Sequence, residues 1–236
     1  DLMLFEIGPV FKGNKPGEQT TIVGAIKTGK YSRKNWIEKE RNFDVYDIKN
    51  DVLRILNEVG INSDKIIVSK KTKKWYHPGR SGMLSLGSSS GPELAYFGEI
   101  HPFIIKKLEL RTDNILGFEI ILDNIPDSRK KIRELKPNFS FSDYQKVVRD
   151  FAFVIDEKYS SGEIMNLVKK IDKKLIKDVK IFDVYQGDNI ASGKKSIAFS
   201  VTLEPKDKTL SDNDIEEISK KIISTVQKTT GATLRS

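Results

Sequence analysis

The spacing of apolar and polar residues changes several times along the chain, and each change marks an element. An apolar run from Leu2 to Phe11 reads as a strand, Gly13-Asn-Lys-Pro-Gly17 as a turn, and residues 20–26 as an answering strand. Residues 27–41 are basic and polar. Val45, Ile48, Val52, Ile55, Leu56 and Val59 then recur at the spacing of one helix face, and Gly60 stops that helix. Residues 65–69, 94–100 and 116–122 read as short strands, and Pro78-Gly79 turns the chain. Pro102 sits where the first turn of a helix tolerates proline, before residues 103–110. This pattern predicts a mostly antiparallel α+β domain over residues 1–123.

Composition shifts across residues 124–143, with Pro126, Pro137, the basic cluster Arg129-Lys-Lys131 and Ser140-Phe-Ser142, which marks a candidate linker. Beyond it, over 144–236, residues 147–156 predict a strand. Ser160 with Glu163 has the spacing of a capping box and opens a helix with Ile164, Leu167, Val168, Ile171 and Leu175 on one face. Residues 179–186 and 196–203 are strands joined by a turn over 187–193. Ser211 and Asp214 start a second helix carrying Ile215, Ile218, Ile222 and Val226, Gly231 ends it, and residues 232–235 form a closing strand. The order β-α-β-β-α-β is the ferredoxin-like arrangement. There is no internal repeat between the two halves.

Such a unit covers one face of its sheet with both helices and leaves the other open. Strand alternation assigns the sides. Ile197, Phe199, Val201 and Leu203 go under the helices, and Ser196, Ala198, Ser200 and Thr202 go outward. On the neighbouring strand, Phe182 and Val184 turned inward send Asp183 and Tyr185 outward, with Val179 and Ile181 on the same side as Tyr185. An aromatic ring, a carboxylate and a hydroxyl on adjacent strands suit an unpaired nucleobase: the ring stacks, and the polar groups accept or donate hydrogen bonds. Arg149, Lys194, Lys195 and Arg235 are candidates to neutralise phosphates at the edge. The same face, with Val179 and Ile181 on it, also suits contact with another protein domain.

Charge changes this picture modestly. The chain of 236 residues carries a net charge of +8. To Pro137 there are 24 Lys/Arg against 18 Asp/Glu, and 17 against 15 beyond it. A basic balance permits a polyanionic partner such as a nucleic acid. The absence of Cys excludes disulfides and Cys-ligated metals and fits a reducing compartment, so a cytoplasmic location is expected. No run is long and apolar enough to predict a membrane span. The chain opens directly on a strand without an initiator Met, so a piece of a longer protein is expected.

Several patterns resemble sites without meeting their requirements. Gly24-Ala-Ile-Lys-Thr-Gly-Lys30 has phosphate-loop spacing, but Tyr31 stands where Ser or Thr would ligate magnesium. His77 and His101, the only histidines, are each followed by Pro and do not make a zinc site, so structural roles at a turn and a helix start are expected. The stretch Lys70-Lys-Thr-Lys-Lys74, followed by Trp75 and Tyr76, reads as a solvated basic loop, with an RNA-backbone contact as the alternative.

Val148-Arg-Asp150-Phe-Ala-Phe, Phe182-Asp-Val-Tyr-Gln-Gly187, Gly193-Lys-Lys-Ser-Ile-Ala-Phe and the closing Gly231-Ala-Thr-Leu-Arg235 together resemble the anticodon-binding domain of bacterial phenylalanyl-tRNA synthetase β subunits. Upstream, Leu4-Phe-Glu-Ile-Gly-Pro-Val-Phe11, His77-Pro-Gly-Arg-Ser81 and Phe97-Gly-Glu-Ile-His-Pro102 resemble the same subunit's class II synthetase catalytic-like core. The resemblance implies that Tyr185 stacks on the first anticodon base and that Asp183 and Ser196 hydrogen-bond to anticodon bases. It also implies a core without catalytic residues or metal. Leu4-Phe-Glu-Ile-Gly has Glu6 but lacks the Arg that clamps a triphosphate in this fold class, and no Gly-rich strand ending in Arg closes the domain. The partners implied are tRNA and an α subunit in an α2β2 heterotetramer, with no DNA and no membrane. ATP and magnesium serve the full enzyme, no cofactor is implied for these residues, and editing belongs to upstream residues. A regulatory domain of the same topology, binding an amino acid near Ser161-Gly162, is the alternative, and a nucleotide-dependent enzyme using Lys30 a further one.

Overall fold

The structure is a computed structural model and describes residues 1–112, 114–126 and 142–235. The chain divides into two compact units, Asp1–Pro137 and Asn138–Ser236. Most of the expected linker, 124–143, including Arg129-Lys-Lys131, lies outside the described residues.

The first unit is built on a six-stranded sheet in the order β1-β2-β8-β7-β6-β5. Its strands are β1 (Leu2–Phe11), β2 (Gln19–Thr28), β5 (Ile66–Ser69), β6 (Tyr76–Leu86), β7 (Glu93–Ile100) and β8 (Ile115–Ile121). Every neighbouring pair is antiparallel. Two short strands, β3 (Lys30–Ser32) and β4 (Arg41–Asn42), pair within the stretch read as merely basic and polar.

Helix α1 (Val45–Glu58) starts where Asp44 and Asp47 cap each other's backbone N–H groups and Arg41 grips both Asp47 oxygens at 2.6 and 2.9 Å. Its apolar stripe, Ile48, Val52 and Leu56, packs on Leu84, Ala95, Phe97, Phe118 and Ile120, all on one face of the sheet. Helix α2 (Pro102–Lys107) is capped by His101, whose Nδ1 accepts from the Phe103 N–H at 3.2 Å.

Pro78-Gly79 does not turn the chain. It lies inside β6, where the pairing with β7 jumps from Tyr76↔Ile100 to Ser81↔Gly98. The jump opens the ladder at the residue that has no N–H to give, which is where a strand accepts proline. Gly98, at φ +156°, lets the backbones meet there: a Cβ on it would stand 2.3 Å from the Ser81 Cβ.

The second unit has the order β9 (Val147–Asp156), α3 (Ser161–Ile171), β10 (Ile176–Tyr185), β11 (Lys194–Leu203), α4 (Asp212–Thr230) and β12 (Thr233–Leu234). The sheet order is β10-β11-β9-β12, all antiparallel. This is the β-α-β-β-α-β unit expected from the pattern. Capping boxes at Ser160–Glu163 and Ser211–Asp214 start the two helices. Ile164 and Val168 of α3, with Ile218, Ile222 and Val226 of α4, bury Phe151, Phe153 and Phe199. The Phe199 ring lies 5.8 Å from each of the other two.

One side assignment fails. The β10–β11 register slips between Ile181↔Phe199 and Asp183↔Ala198, leaving Phe182 as an extra residue in a bulge. A bulge resets the alternation. Val179 and Ile181 therefore pair with Val201 and Phe199 and join the core instead of sharing the side of Tyr185. Phe182, expected inside, is 60% exposed in the bulge, whereas Val184 pairs with Ile197 on the expected helix side but is 49% exposed on this edge strand.

Candidate nucleic-acid interface

Directly paired residues of an antiparallel ladder point to the same side. Tyr185 pairs with Ser196 and Asp183 with Ala198. Ser196 in turn pairs with Val154, and Ala198 with Ala152. These residues occupy the side opposite Ile197 and Phe199, away from the helices. The floor is low because Ala198, Ala152 and Ser196 are small. Tyr185 stands at one side of it, 39% exposed, and Asp183 beside it is exposed.

Arg235 closes the other side. Its backbone N–H donates to the Ala152 carbonyl at 2.8 Å, and its Nη1 donates to Ser196 Oγ at 3.4 Å. Ser196 is only 2% exposed. Three strand spacings separate β10 from β12, about 14 Å, which spans a nucleobase with its sugar. Lys194, one pleat from Ser196, is exposed on the same side. Farther along, Ser200 donates to Asp150 at 2.6 Å.

The four edge cations are thus not brought together. Arg235 and Lys194 share the side of Tyr185. Arg149 pairs with Val201 and Lys195 with Ile155, which sets both on the helix side of the sheet. The sequence pattern marks Arg235 only as a phosphate contact. Its hydrogen bond to Ser196 leaves no local signal, because the two residues lie 39 apart in sequence.

The other candidate motifs resolve locally. Gly24 to Thr28 lie inside β2, and Lys30 pairs with Glu40 at 2.6 Å, so there is no phosphate loop. His77 Nδ1 accepts from the Gly79 N–H at 3.1 Å, and its ring stacks on His101 at 6.4 Å. In the basic loop, Lys71 is paired with Glu93, and Lys73 lies 4.5 Å over the Tyr96 ring. Ser161 and Gly162 form the first turn of α3 under its capping box. Among the described residues no group of three or more His, Asp or Glu side chains is placed to hold a metal ion, and no helix is long and apolar enough to cross a membrane.

The first sheet carries a groove of about 480 Å³ on its face away from α1. Glu6, Gly24 and Glu119 lie in one line across β1, β2 and β8, and Leu4, Ile26 and Gly117 in the next. Tyr76 and Ile100 wall one end. Glu119 Oε1 accepts from Trp75 Nε1 at 2.6 Å and from the Tyr76 hydroxyl at 3.2 Å. Burial, and then the Glu119 charge, push the Tyr76 phenol well above the usual tyrosine range, so it stays a donor. Two carboxylates and no Lys or Arg among the described residues line this groove.

Comparison with known proteins bears on both units. Residues 1–122 match the model of the phenylalanyl tRNA synthetase beta chain CLM domain, and residues 142–235 match that of the ferredoxin-fold anticodon binding domain. The phenylalanine–tRNA ligase beta subunit of Rhodospirillum rubrum is 43% identical over 236 residues, covering all of this chain and 29% of that protein. Those of Paramagnetospirillum magneticum and Bartonella quintana are 41% and 38% identical, again over the whole chain and 29% of the relative. The chain thus spans under a third of the length of these relatives. The matches favour the anticodon-binding module and leave the amino-acid-binding alternative without support. With both units matched and in this order, the chain belongs to the phenylalanyl-tRNA synthetase beta chain family.

Proposed function

We propose that this chain is the part of a phenylalanine–tRNA ligase β subunit that reads the tRNA anticodon. In this reading Tyr185 stacks on the first anticodon base, and Asp183 and Ser196 hydrogen-bond to base edges. Arg235 orients the Ser196 hydroxyl and, with Lys194, neutralises nearby phosphate. The observation that carries it is the convergence of Tyr185, Asp183, Ser196 and Arg235 on the side of the β9–β12 sheet that neither α3 nor α4 covers. A stack of this kind contributes about 1–3 kcal/mol per base.

The first unit, with 124–143 as a linker, serves as a non-catalytic core of class II type. The groove's lining supports this: no Lys or Arg among the described residues lines it, so a triphosphate there would lack the cationic side chains that clamp its phosphates. Activation of phenylalanine with ATP and magnesium then falls to a separate α subunit in a cytoplasmic α2β2 enzyme. Co-purification of the tagged full-length protein tests this. Recovery of a second polypeptide with tRNA aminoacylation supports the reading, and aminoacylation by the β chain alone contradicts it.

A further inference from the structure

We propose that the groove on the first sheet binds an organic cation, an ammonium or guanidinium on a short apolar stem. Three features of the groove converge on that chemistry. The first is charge: in a chain with 41 Lys and Arg, the lining has only Glu6 and Glu119 as ionised groups. The second is spacing. Both carboxylates flank Gly24 in one line across the sheet, each one strand spacing from it, about 4.8 Å. A Cβ built on Gly24 meets nothing within 4 Å, so the space between them is open.

The third is the state of the acceptors. Trp75 and Tyr76 both donate to Oε1 of Glu119, which fixes the carboxylate and leaves Oε2 without a hydrogen bond among the described residues. Glu6, exposed on β1, has no ion-pair partner among them either. A cation over Gly24 reaches both. Leu4, Ile26 and Ile100 then cover an apolar stem, and the Tyr76 ring closes one end. A free carboxylate on the same ligand would be repelled, which excludes zwitterionic amino acids and selects amines, or the side chain of a Lys or Arg from an adjoining chain.

The test uses the full-length protein with its partner subunit, titrated with 2-phenylethylamine and with its neutral analogue 2-phenylethanol. Glu119→Gln and Glu6→Gln are each expected to weaken amine binding about tenfold, the range of a charged hydrogen bond. Gly24→Val, which a strand accepts, is expected to abolish it, with thermal unfolding reporting that the fold persists. In a second arm, carbodiimide coupling of the assembled protein identifies any Lys joined to Glu6 or Glu119. Amine binding that these substitutions weaken assigns the groove to a small molecule, and coupling without such binding assigns it to a neighbouring side chain. Equal binding of the amine and the alcohol, amine binding that all three substitutions leave unchanged, or neither binding nor coupling, overturns the proposal.

Discussion

The Tyr185 phenol lies against Gly187: a Cβ on Gly187 would stand 2.3 Å from its hydroxyl oxygen and 2.6 Å from the ring carbon bearing it. Real Cβ contacts do not come that close, so with a side chain at 187 either the ring or the backbone must shift. Gly187→Ala should leave the sheet intact, because the ring is the mobile party, and should turn Tyr185 away from its present position. Ring resonances of Tyr185 shifting with unchanged circular dichroism would show this. Unmoved ring resonances would mean that the backbone at 187 yields instead.

Arg235 and Ser196 make a separate prediction. If the guanidinium neutralises a phosphate in the bound state, Arg235→Ala should make the dependence of log K on log salt shallower by about 1. Ser196→Ala should lower tRNA affinity without changing that slope. Binding titrations between low and physiological salt distinguish the two, and equal slopes for wild type and Arg235→Ala would exclude the phosphate role.

The core of the second unit rests on three phenylalanines. Phe199 is fully buried against Phe151 and Phe153 of β9. Phe199→Ala removes both ring contacts and leaves a cavity, at a cost of about 3–5 kcal/mol. Chemical denaturation should show that loss in the second unit. A loss below about 1 kcal/mol would mean that the helices collapse onto the gap.

The start of α4 carries a pH signature. Hydrogen bonds from the Ser211 N–H and hydroxyl, and from Lys208, lower the Asp214 pKa from 3.8 to about 2. A carboxyl depressed on folding stabilises above its unfolded pKa and loses that contribution as pH falls through the folded value. Asp214→Asn should therefore be less stable than wild type at neutral pH, and the difference should shrink between about pH 4 and pH 2. Melting temperatures of both proteins across that window measure it. A constant gap would show that the charge is not what stabilises the cap.

Local rules made much of this legible. The capping boxes, the 3.6-residue periodicity and the β-α-β-β-α-β order act within a few residues of each other, and the structure has them as read, except that α3 ends at Ile171 and leaves Leu175 in the turn before β10. Alternation also put Asp183, Tyr185 and Ser196 on one side, since the three residues lie beyond the bulge in an unbroken stretch of pleat. What failed was non-local. The bulge at Phe182 depends on how β10 fits β11, so a period-two reading extended across it mis-sides Val179 and Ile181. Pro78-Gly79 looked like a turn because proline and glycine usually are one. Only the slip against β7 shows how a strand passes through them. The groove over Gly24 was illegible because its carboxylates come from β1 and β8, which meet only through β2.

The most direct test is the tRNA affinity of the assembled enzyme carrying Tyr185→Ala. Loss of one base stack predicts binding weaker by about fivefold to a hundredfold with the fold unchanged. Unchanged affinity in a folded variant would contradict anticodon stacking on this sheet.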